Sequence, residues 1–295
     1  MKLAAIDIGS NAIRLLIEEV RQFNGEIRID KVSLTRVPVR LGEDVFTSGK
    51  ISDERIRQLV KTMRAFWYIM DVHQVEMFRA CATSAMREAK NRKAVIATVE
   101  REANFKIEIL SGEEEANLIF SNYFSQNLNN KNNYLFIDVG GGSTELTVIK
   151  KGKRIKGESF DLGTVRALTG SNDKTTWKQV EKWLVTNADK AGSSIAIGTG
   201  GNVNTMFKLQ GKKPNELISA MEIKALYKQL GSVSLDERIF NFKLRPDRAD
   251  VIIPACEIYL RIMDLAGIKH MIVPKIGLSD GMILHMAEQL KMDIP

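Results

Sequence analysis

The chain has few cysteines and histidines, and their scarcity excludes several classes of protein. It contains two cysteines and three histidines in 295 residues. Cys81 and Cys256 both stand in apolar stretches, so they do not form the disulfide framework of a small secreted domain. His73, His270 and His285 are isolated and lack the spacing of metal ligands. We therefore expect no zinc site and no metal-dependent domain built on His-Asp pairs.

Long hydrophobic runs are also missing. No apolar stretch approaches the roughly 18 residues that a membrane span needs. The apolar N-terminus is interrupted by Asp7, which argues against a signal peptide. The hydrophobic content of 44% and the charged content of 27% are those of a soluble globular protein. We expect a cytoplasmic protein of one or two domains with no membrane partner.

Positive charge is in modest excess. The net charge is +7, which permits an anionic partner because a basic surface concentrates polyanions. Lys and Arg are spread along the chain, and the densest cluster, at 150–154, has the pattern of a hairpin turn. A solvated basic surface explains this cluster equally well. We do not expect a nucleic acid polymer as a partner.

The best-known phosphate loops are absent, but an internal repeat is present. No Gly-x-x-x-x-Gly-Lys-Ser/Thr segment occurs, and the Gly-rich turn at 140–142 precedes a predicted strand rather than the helix of a dinucleotide fingerprint. The stretch Ala5–Ile17 aligns with Phe136–Ile149. Each stretch reads as a strand, an aspartate, a Gly-rich turn and a second strand. The repeat predicts two similar α/β halves facing each other, with both aspartates and both turns at one cleft.

These turns have the composition of a metal–phosphate site. Glycine lets backbone N–H groups approach a ligand, and successive N–H groups form an anion-binding concavity. Asp7 and Asp138, at the preceding strand ends, can bind Mg²⁺, which prefers one or two carboxylates together with phosphate oxygens. For either loop alone, a tight turn capped by its aspartate is an equally good interpretation, and the repeat favours the ligand site. The candidate phosphate-binding residues of the loops are Gly9, Ser10, Asn11, Gly140, Gly141, Gly142 and Ser143.

Three further segments contain candidate residues. Gly200 and Gly201 precede a predicted helix, whose N-terminus can bind an anion, although a helix-capping turn is the alternative. Thr83, Ser84 and Arg87 offer two hydroxyl groups and a guanidinium within one turn, or alternatively an N-cap and a surface arginine. Three glutamates at 113–115 open a helix, where acidic side chains favour the helix dipole.

The pattern of elements predicts two domains. We expect domain I over 1–126 and domain II over 127–278, with the asparagine-rich stretch 127–133 as the hinge. A long helix is predicted over 248–266, kinked at Pro254. A last helix, 279–295, capped by Ser279, is expected to pack back on domain I.

Seven segments, taken in order, resemble the exopolyphosphatase / guanosine pentaphosphate phosphohydrolase family of the actin-like ATPase superfamily. They are Ala5–Asn11, Ala82–Ala89, Leu110–Phe120, Phe136–Leu146, Leu162–Arg166, Gly198–Gly201 and Arg248–Pro254. The resemblance implies an α/β fold of two actin-like (ribonuclease H-like) domains facing across an interdomain cleft. Family analogy also implies a homodimer.

The resemblance assigns roles residue by residue. Glu115 matches the catalytic glutamate, which activates or orients the attacking water. Asp138 and Glu145 match acidic residues near the metal and the terminal phosphate, and Asp7 matches the carboxylate of the first loop. The implied cofactor is Mg²⁺ or another divalent cation, with K⁺ as a further candidate.

The implied activity is removal of terminal orthophosphate from inorganic polyphosphate. Hydrolysis of guanosine pentaphosphate is the alternative activity. Two remote alternatives are an ATP-dependent sugar or acid kinase and a non-enzymatic actin-like scaffold. Two departures bear on the substrate. We expect a short form of the family without the helical C-terminal extension of full-length members, and Ser279 stands where the family usually has arginine.

Overall fold

The computed structural model describes residues 1–23, 26–124, 132–171, 174–188, 194–213 and 216–292. The chain divides into two compact units, one formed by Met1–Asn122 with Gly277–Pro295 and the other by Tyr123–Ile276. Most of the predicted hinge, 127–133, lies outside the described residues.

The first unit alternates strands and helices around one sheet. Its elements up to residue 124 are β1 (Lys2–Ile8), β2 (Ile13–Phe23), β3 (Glu26–Val37), α1 (Leu41–Ser48), α2 (Asp53–Val72), β4 (Met77–Ala82), α3 (Ser84–Glu88), α4 (Arg92–Ala103), β5 (Glu108–Ile109) and α5 (Gly112–Phe124). The sheet order is β3-β2-β1-β4-β5. Strands β1, β4 and β5 run parallel, so their carboxyl ends lie along one edge of the sheet.

The second unit has a larger sheet. Its elements are β6 (Asn133–Val139), β7 (Thr144–Lys150), β8 (Lys153–Phe160), α6 (Thr164–Leu168), α7 (Lys174–Asn187), β9 (Ser194–Thr199), α8 (Gly201–Leu209), β10 (Leu217–Ser219), α9 (Ala220–Gly231), α10 (Leu235–Phe240), α11 (Pro246–Ala249), α12 (Ile252–Leu265) and β11 (His270–Ile272). The sheet order is β10-β11-β9-β6-β7-β8. Strands β6 and β9 are parallel, which places Asp138 beside Thr199 at their carboxyl ends.

The core of the first unit follows from the helical periodicity of α2. Its buried face includes Leu59, Met63 and Phe66, which pack in the same cluster as Ile6 and Ile17 of the sheet. Full burial of such side chains contributes about 1.5–3 kcal/mol each. The helix is capped at its N-terminus, since the Ser52 side chain accepts a hydrogen bond from the backbone N–H of Arg55.

The final helix, α13 (Leu278–Met292), packs on β1 and β2 of the first unit. It comes so close to α5 that a Cβ on Gly281 would overlap the carbonyl of Leu118. The predicted Ser279 cap is wrong, because the helix begins one residue earlier and Ser279 is buried within it. Asp280 instead accepts a hydrogen bond from the N–H of Gly277 at 2.9 Å.

The long helix predicted over 248–266 is also wrong. The chain forms two helices, α11 and α12, which are separated at Asp250 and Val251. Pro254 is the third residue of α12, where the backbone N–H has no partner within the helix. Proline therefore removes no hydrogen bond of the helix there.

No described helix is long and apolar enough to cross a membrane.

Candidate functional site

The repeated loops form the same tight turn in both units. In the first unit the N–H of Gly9 donates to the carbonyl of Ala12 at 3.1 Å, and in the second the N–H of Gly140 donates to the carbonyl of Ser143 at 2.9 Å. Each turn joins two antiparallel strands, β1 with β2 and β6 with β7. The repeat in the sequence thus corresponds to a repeated backbone structure.

A short helix supports each loop after the third strand of its unit. In the first unit, the N–H of Gly42 at the start of α1 donates to the carbonyl of Ser10 at 2.8 Å. In the second, the N–H of Val165 at the start of α6 donates to the carbonyl of Gly141 at 2.8 Å. The approach is close, since a Cβ on Gly163 would overlap the Gly141 carbonyl. The loop carbonyls are therefore engaged by the helix behind them.

This arrangement leaves a row of donors in the second loop. The Nε of Arg166 donates to the carbonyl of Gly142 at 2.8 Å, so all three glycine carbonyls are bonded on the α6 side. Within the described part of the chain, the N–H groups of Gly141, Gly142 and Ser143 have no acceptor. Successive N–H groups of this kind form an anion-binding nest.

A pair of carboxylates lies beside this nest. Asp138, at the end of β6, stands directly opposite Glu145 of β7, so the two side chains occupy the same face of the sheet. Both are buried, with 8% and 1% of the residue exposed. The hydroxyl of Ser159 donates to Glu145 Oε1 at 2.8 Å and orients that carboxylate.

Gly200 directly follows β9 and lies next to the carboxylate of Asp138. Its backbone has φ 99° and ψ 164°, a region that side chains rarely adopt. A Cβ at Gly200 would lie 3.0 Å from Asp138 Oδ1. Next to it, the Oγ1 of Thr199 is buried and has no hydrogen-bond partner among the described residues. Glycine is therefore needed here both for its backbone conformation and for space beside the carboxylate.

Two residues of the second unit complete the surroundings of this loop. The guanidinium of Arg248 covers Gly201, and its Nη1 donates to Asn202 Oδ1 at 2.7 Å. The hydroxyl of Tyr259 donates to the Thr199 carbonyl at 2.6 Å. Burial, and then the charge of Asp138, raise the pKa of Tyr259 well above its usual value, which keeps the phenol protonated as a donor.

In the first unit, the predicted hydroxyl groups come together at the carboxyl ends of β1 and β4. The hydroxyls of Ser10 and Ser84 lie 2.8 Å apart and both residues are buried. The N–H of Thr83 donates to the Ile8 carbonyl at 3.2 Å. Arg87 Nη1 donates to the carbonyl of Leu110 at 2.7 Å, which connects α3 to the segment that enters α5.

The two units differ in the partner of the loop aspartate. Asp7 faces Arg14 across β1 and β2, and the two form an ion pair. At the equivalent position of the second unit, Asp138 faces Glu145. The first loop therefore contains a balanced charge pair, whereas the second contains two acids. The metal role predicted for Asp7 stays a prediction, and the second loop has the better donor set for a cation.

The three glutamates of α5 have different structural roles. Glu114 accepts hydrogen bonds from the N–H and the hydroxyl of Ser111, both at 2.8 Å, while its own N–H donates to Ser111 Oγ. This capping box holds the pKa of Glu114 below its ordinary value. Glu113 is exposed and Glu115 is half-buried, next to the buried Ala116. Glu114 therefore has a structural role, and Glu115 stays the predicted catalytic residue.

The potential metal ligands are few. The described residues include no cluster of three or more His, Cys, Asp and Glu side chains suited to a metal ion. Asp138 and Glu145 provide two carboxylates, the number that Mg²⁺ takes from protein when phosphate oxygens and water complete its shell. The donor set therefore fits a cation that binds together with a phosphorylated substrate.

Sequence reasoning missed four residues at these loops: Arg14, Arg166, Arg248 and Tyr259. Arg166 and Arg248 stand in segments that carried the family resemblance, but nothing in their spacing indicated contact with a glycine loop. Arg14 lies opposite Asp7 because the turn closes between Gly9 and Ala12, so the register of the hairpin was the available signal. Tyr259 looked like an ordinary core residue of a helix.

Known proteins resemble the chain over almost its whole length. A bifunctional 3-dehydroquinate synthase/phosphatase of Fusobacterium nucleatum is 29% identical over 97% of the chain and 46% of its own length. Exopolyphosphatase 2 of Mycobacterium tuberculosis is 26% identical over 97% of the chain and 98% of its own length. A guanosine-5'-triphosphate,3'-diphosphate pyrophosphatase of Vibrio cholerae is 26% identical over 98% of the chain and 60% of its length. The chain thus spans about half of the first of these relatives and nearly all of the second.

Solved structures show the same fold. An exopolyphosphatase from Cytophaga hutchinsonii superimposes with a TM-score of 0.83 at 23% identity, over 98% of both chains. A member of the Ppx/GppA family from Aquifex aeolicus superimposes with a TM-score of 0.74 at 25% identity, over 100% of this chain and 99% of the other. The predicted actin-like α/β fold is confirmed.

The family model supports the same conclusion independently of any single relative. It is the model of the Ppx/GppA phosphatase family, and it matches residues 17–290. The resemblance noted in the sequence is confirmed, and the chain belongs to the Ppx/GppA phosphatase family.

Proposed function

We propose that this protein removes terminal orthophosphate from inorganic polyphosphate. The observation that carries the proposal is the second loop, where the carboxylates of Asp138 and Glu145 lie next to the N–H groups of Gly141, Gly142 and Ser143. The carboxylates can bind a cation, and the N–H groups can bind the oxygens of a phosphate. The two together are what a phosphate bound with its cation requires. The name of the M. tuberculosis relative supports polyphosphate as the substrate.

The reaction depends on position and charge more than on covalent chemistry. Phosphoryl transfer proceeds through a transition state whose charge is spread over the phosphoryl oxygens. The N–H groups of the second loop would bind these oxygens, and the Arg248 guanidinium beside Gly201 would add positive charge. A bound Mg²⁺, held by Asp138 and Glu145, would neutralise further charge on the same oxygens.

Glu115 is the proposed base. A carboxylate can polarise a water molecule and accept its proton as the water attacks the terminal phosphorus. The bond between that phosphorus and the bridging oxygen breaks, and orthophosphate and the shortened chain are released. Glu114, not Glu115, forms the helix cap with Ser111, so replacing Glu115 leaves that cap in place.

The second candidate is removal of the terminal 5′-phosphate of guanosine pentaphosphate. The name of the V. cholerae relative favours it, and the substrate presents the same type of terminal phosphoanhydride. We further propose Mg²⁺ as the cation, with another divalent ion or K⁺ as alternatives, and a homodimer as the assembly.

A phosphate-release assay distinguishes these candidates. The purified protein is given tripolyphosphate, long-chain polyphosphate, guanosine pentaphosphate and ATP at equal concentration of terminal phosphate, with and without Mg²⁺. We expect the highest kcat/KM on a polyphosphate and dependence on Mg²⁺. A higher kcat/KM on guanosine pentaphosphate would favour the second candidate, and release from ATP alone would refute both.

A further inference from the structure

The carbonyl of Gly142 is held differently from the other two glycine carbonyls of the second loop. Backbone N–H groups at the start of α6 donate to the carbonyls of Gly140 and Gly141. The carbonyl of Gly142 instead accepts a hydrogen bond from a side chain, at 2.8 Å from the Nε of Arg166. Arg166 is buried, with 8% of the residue exposed. The orientation of the Gly142 peptide therefore depends on the identity of this side chain.

The equivalent peptide of the first unit is held by the backbone. In the aligned loops Asn11 takes the position of Gly142, and its carbonyl accepts a hydrogen bond from the backbone N–H of Arg40 at 3.1 Å. Any residue other than proline could supply that donor. The loop that contains the carboxylate pair thus relies on a side chain where the other loop relies on the main chain. A substitution of Arg166 can therefore change the second loop without any change to its sequence.

The hydrogen bond to the Gly142 carbonyl also sets the direction of a donor. In a trans peptide, the C=O of one residue and the N–H of the next point in opposite directions, and the described peptide bonds are trans. The Gly142 carbonyl faces Arg166, so the N–H of Ser143 points away from that side chain. This N–H is one of the three that form the anion-binding nest. Rotation of the peptide would turn the donor away from a bound phosphate.

We propose that Arg166 is a positioning residue for phosphoryl transfer, because its Nε holds the Gly142 peptide with the Ser143 N–H directed at the terminal phosphoryl group. This inference rests on the proposed function. Donors that are oriented before the reaction stabilise developing charge without a cost of reorganisation. Their contribution appears in kcat more than in KM, since the charge that they stabilise develops in the transition state. Arg166 acts through the peptide and does not itself contact the substrate.

Two substitutions separate the hydrogen bond from the charge. In Arg166→Gln the amide nitrogen follows Cδ as the arginine Nε does, so a neutral donor can occupy the same position. In Arg166→Met the side chain has a similar length but no donor. Both variants lose the positive charge and the 3.8 Å contact with the exposed Asp161. The difference between them therefore isolates the hydrogen bond to Gly142.

Phosphate release from tripolyphosphate is measured for the wild type and both variants at saturating Mg²⁺. We expect Arg166→Met to lower kcat by about 10–100-fold, because a displaced donor no longer stabilises the transition state, and to change KM by less than about threefold. Arg166→Gln should keep kcat within about fivefold of the wild type. Ile223→Val, which removes a methyl group from the buried core of the same unit, controls for lost stability and should keep the wild-type kcat.

Three kinetic results would overturn the inference. Equal losses of kcat in Arg166→Met and Arg166→Gln would show that the charge matters and the hydrogen bond does not. A wild-type kcat in Arg166→Met would show that the peptide keeps its orientation without Arg166. A similar loss in Ile223→Val would indicate a general effect of stability. If Arg166→Met does not fold, Arg166→Lys replaces it, since the ammonium group keeps the charge but lies beyond the position of Nε, and the same loss of kcat is expected.

A binding measurement separates this inference from the proposed function. With ¹⁵N-serine labelling, the amide resonance of Ser143, assigned through Ser143→Ala, is followed as orthophosphate is added in the presence of Mg²⁺. It should shift in the wild type and in Arg166→Gln but not in Arg166→Met. If this pattern is found and the wild type releases no phosphate from any polyphosphate, the proposed function fails and the role of Arg166 stands. An equal shift in Arg166→Met overturns the role of Arg166 alone, and no shift in the wild type overturns both.

Discussion

The role of Gly200 gives the sharpest prediction for the second loop. Its backbone lies at φ 99° and ψ 164°, and a Cβ at this position would be 3.0 Å from Asp138 Oδ1. The Gly200→Ala change therefore introduces two separate perturbations. One is the cost of the backbone conformation, and the other is pressure on a carboxylate that we propose holds the cation.

The two perturbations differ in size and in readout. A side chain in this backbone region costs about 1–3 kcal/mol, which appears as lost stability. The Cβ contact is a few tenths of an ångström too short, so the Asp138 carboxylate, which we propose binds the cation, must move. Misplacement of a catalytic group by a fraction of an ångström to 1 Å reduces turnover by about 10–100-fold. We expect kcat for tripolyphosphate to fall within that range and the Mg²⁺ concentration at half-maximal rate to rise.

Gly211→Ala is the matched control. Gly211 also has a positive φ, 66°, but no atom lies within 4 Å of a Cβ built there. It should lose about 1 kcal/mol in urea unfolding and keep the wild-type kcat and Mg²⁺ requirement. If Gly200→Ala keeps the wild-type kcat, or if Gly211→Ala loses as much activity, contact between Gly200 and the Asp138 carboxylate does not matter for turnover.

Two further predictions concern carboxylates in the two units. Asp138→Asn should raise the Mg²⁺ concentration needed for half-maximal phosphate release at least several-fold, because one of the two proposed anionic ligands is lost. An unchanged Mg²⁺ titration would show that Asp138 does not bind the metal. Burial, followed by the charge of Asp280 and opposed by Lys31, raises the pKa of Glu18 to about 7. Because this folded-state pKa is above the unfolded value, Glu18 favours folding at low pH and this contribution is lost as pH rises towards and through 7. Glu18→Gln should therefore raise the unfolding free energy at pH 8 by about 1–2 kcal/mol after allowance for solvent screening, with little change at pH 4. Urea unfolding at both pH values measures this, with Glu100→Gln, at an exposed position of α4, as the control. A gain that is the same at both pH values would contradict the assignment.

Local patterns were sufficient to predict the parts of the site that lie on one stretch of chain. The sequence predicts the two loops at Asp7 and Asp138 because all the signals lie within about fifteen residues of each other. These signals are the apolar pattern of each strand, the glycines of the turn, and the repetition of both. The capping boxes that start α9 and α10 depend on equally local sequence, since each joins a serine, Ser219 or Ser234, to the glutamate three residues later. The family resemblance added Glu115, which no spacing rule would have separated from Glu113.

The parts that could not be predicted depend on contacts between distant segments. Arg248 lies over Gly201, 47 positions earlier in the chain, and neither residue's neighbours in sequence indicate the other. The break between α11 and α12 occurs in a stretch whose apolar periodicity continues through it. Ser279 has the composition of a helix cap, yet α13 starts at Leu278, where the first turn uses Asp280 instead. In each case, tertiary packing overrides a valid local preference.

The proposed role of Glu115 as the base that activates the attacking water can be tested by comparing two glutamates of α5. Glu115→Gln and Glu113→Gln remove the same charge from the same helix turn, two residues apart, and neither disturbs the cap formed by Glu114 and Ser111. Phosphate release from tripolyphosphate is measured for both under saturating Mg²⁺. We predict that Glu115→Gln lowers kcat by about 10²–10⁴-fold with a small change in substrate binding, while Glu113→Gln stays near the wild type. If Glu115→Gln keeps a near-wild-type kcat, Glu115 is not the base.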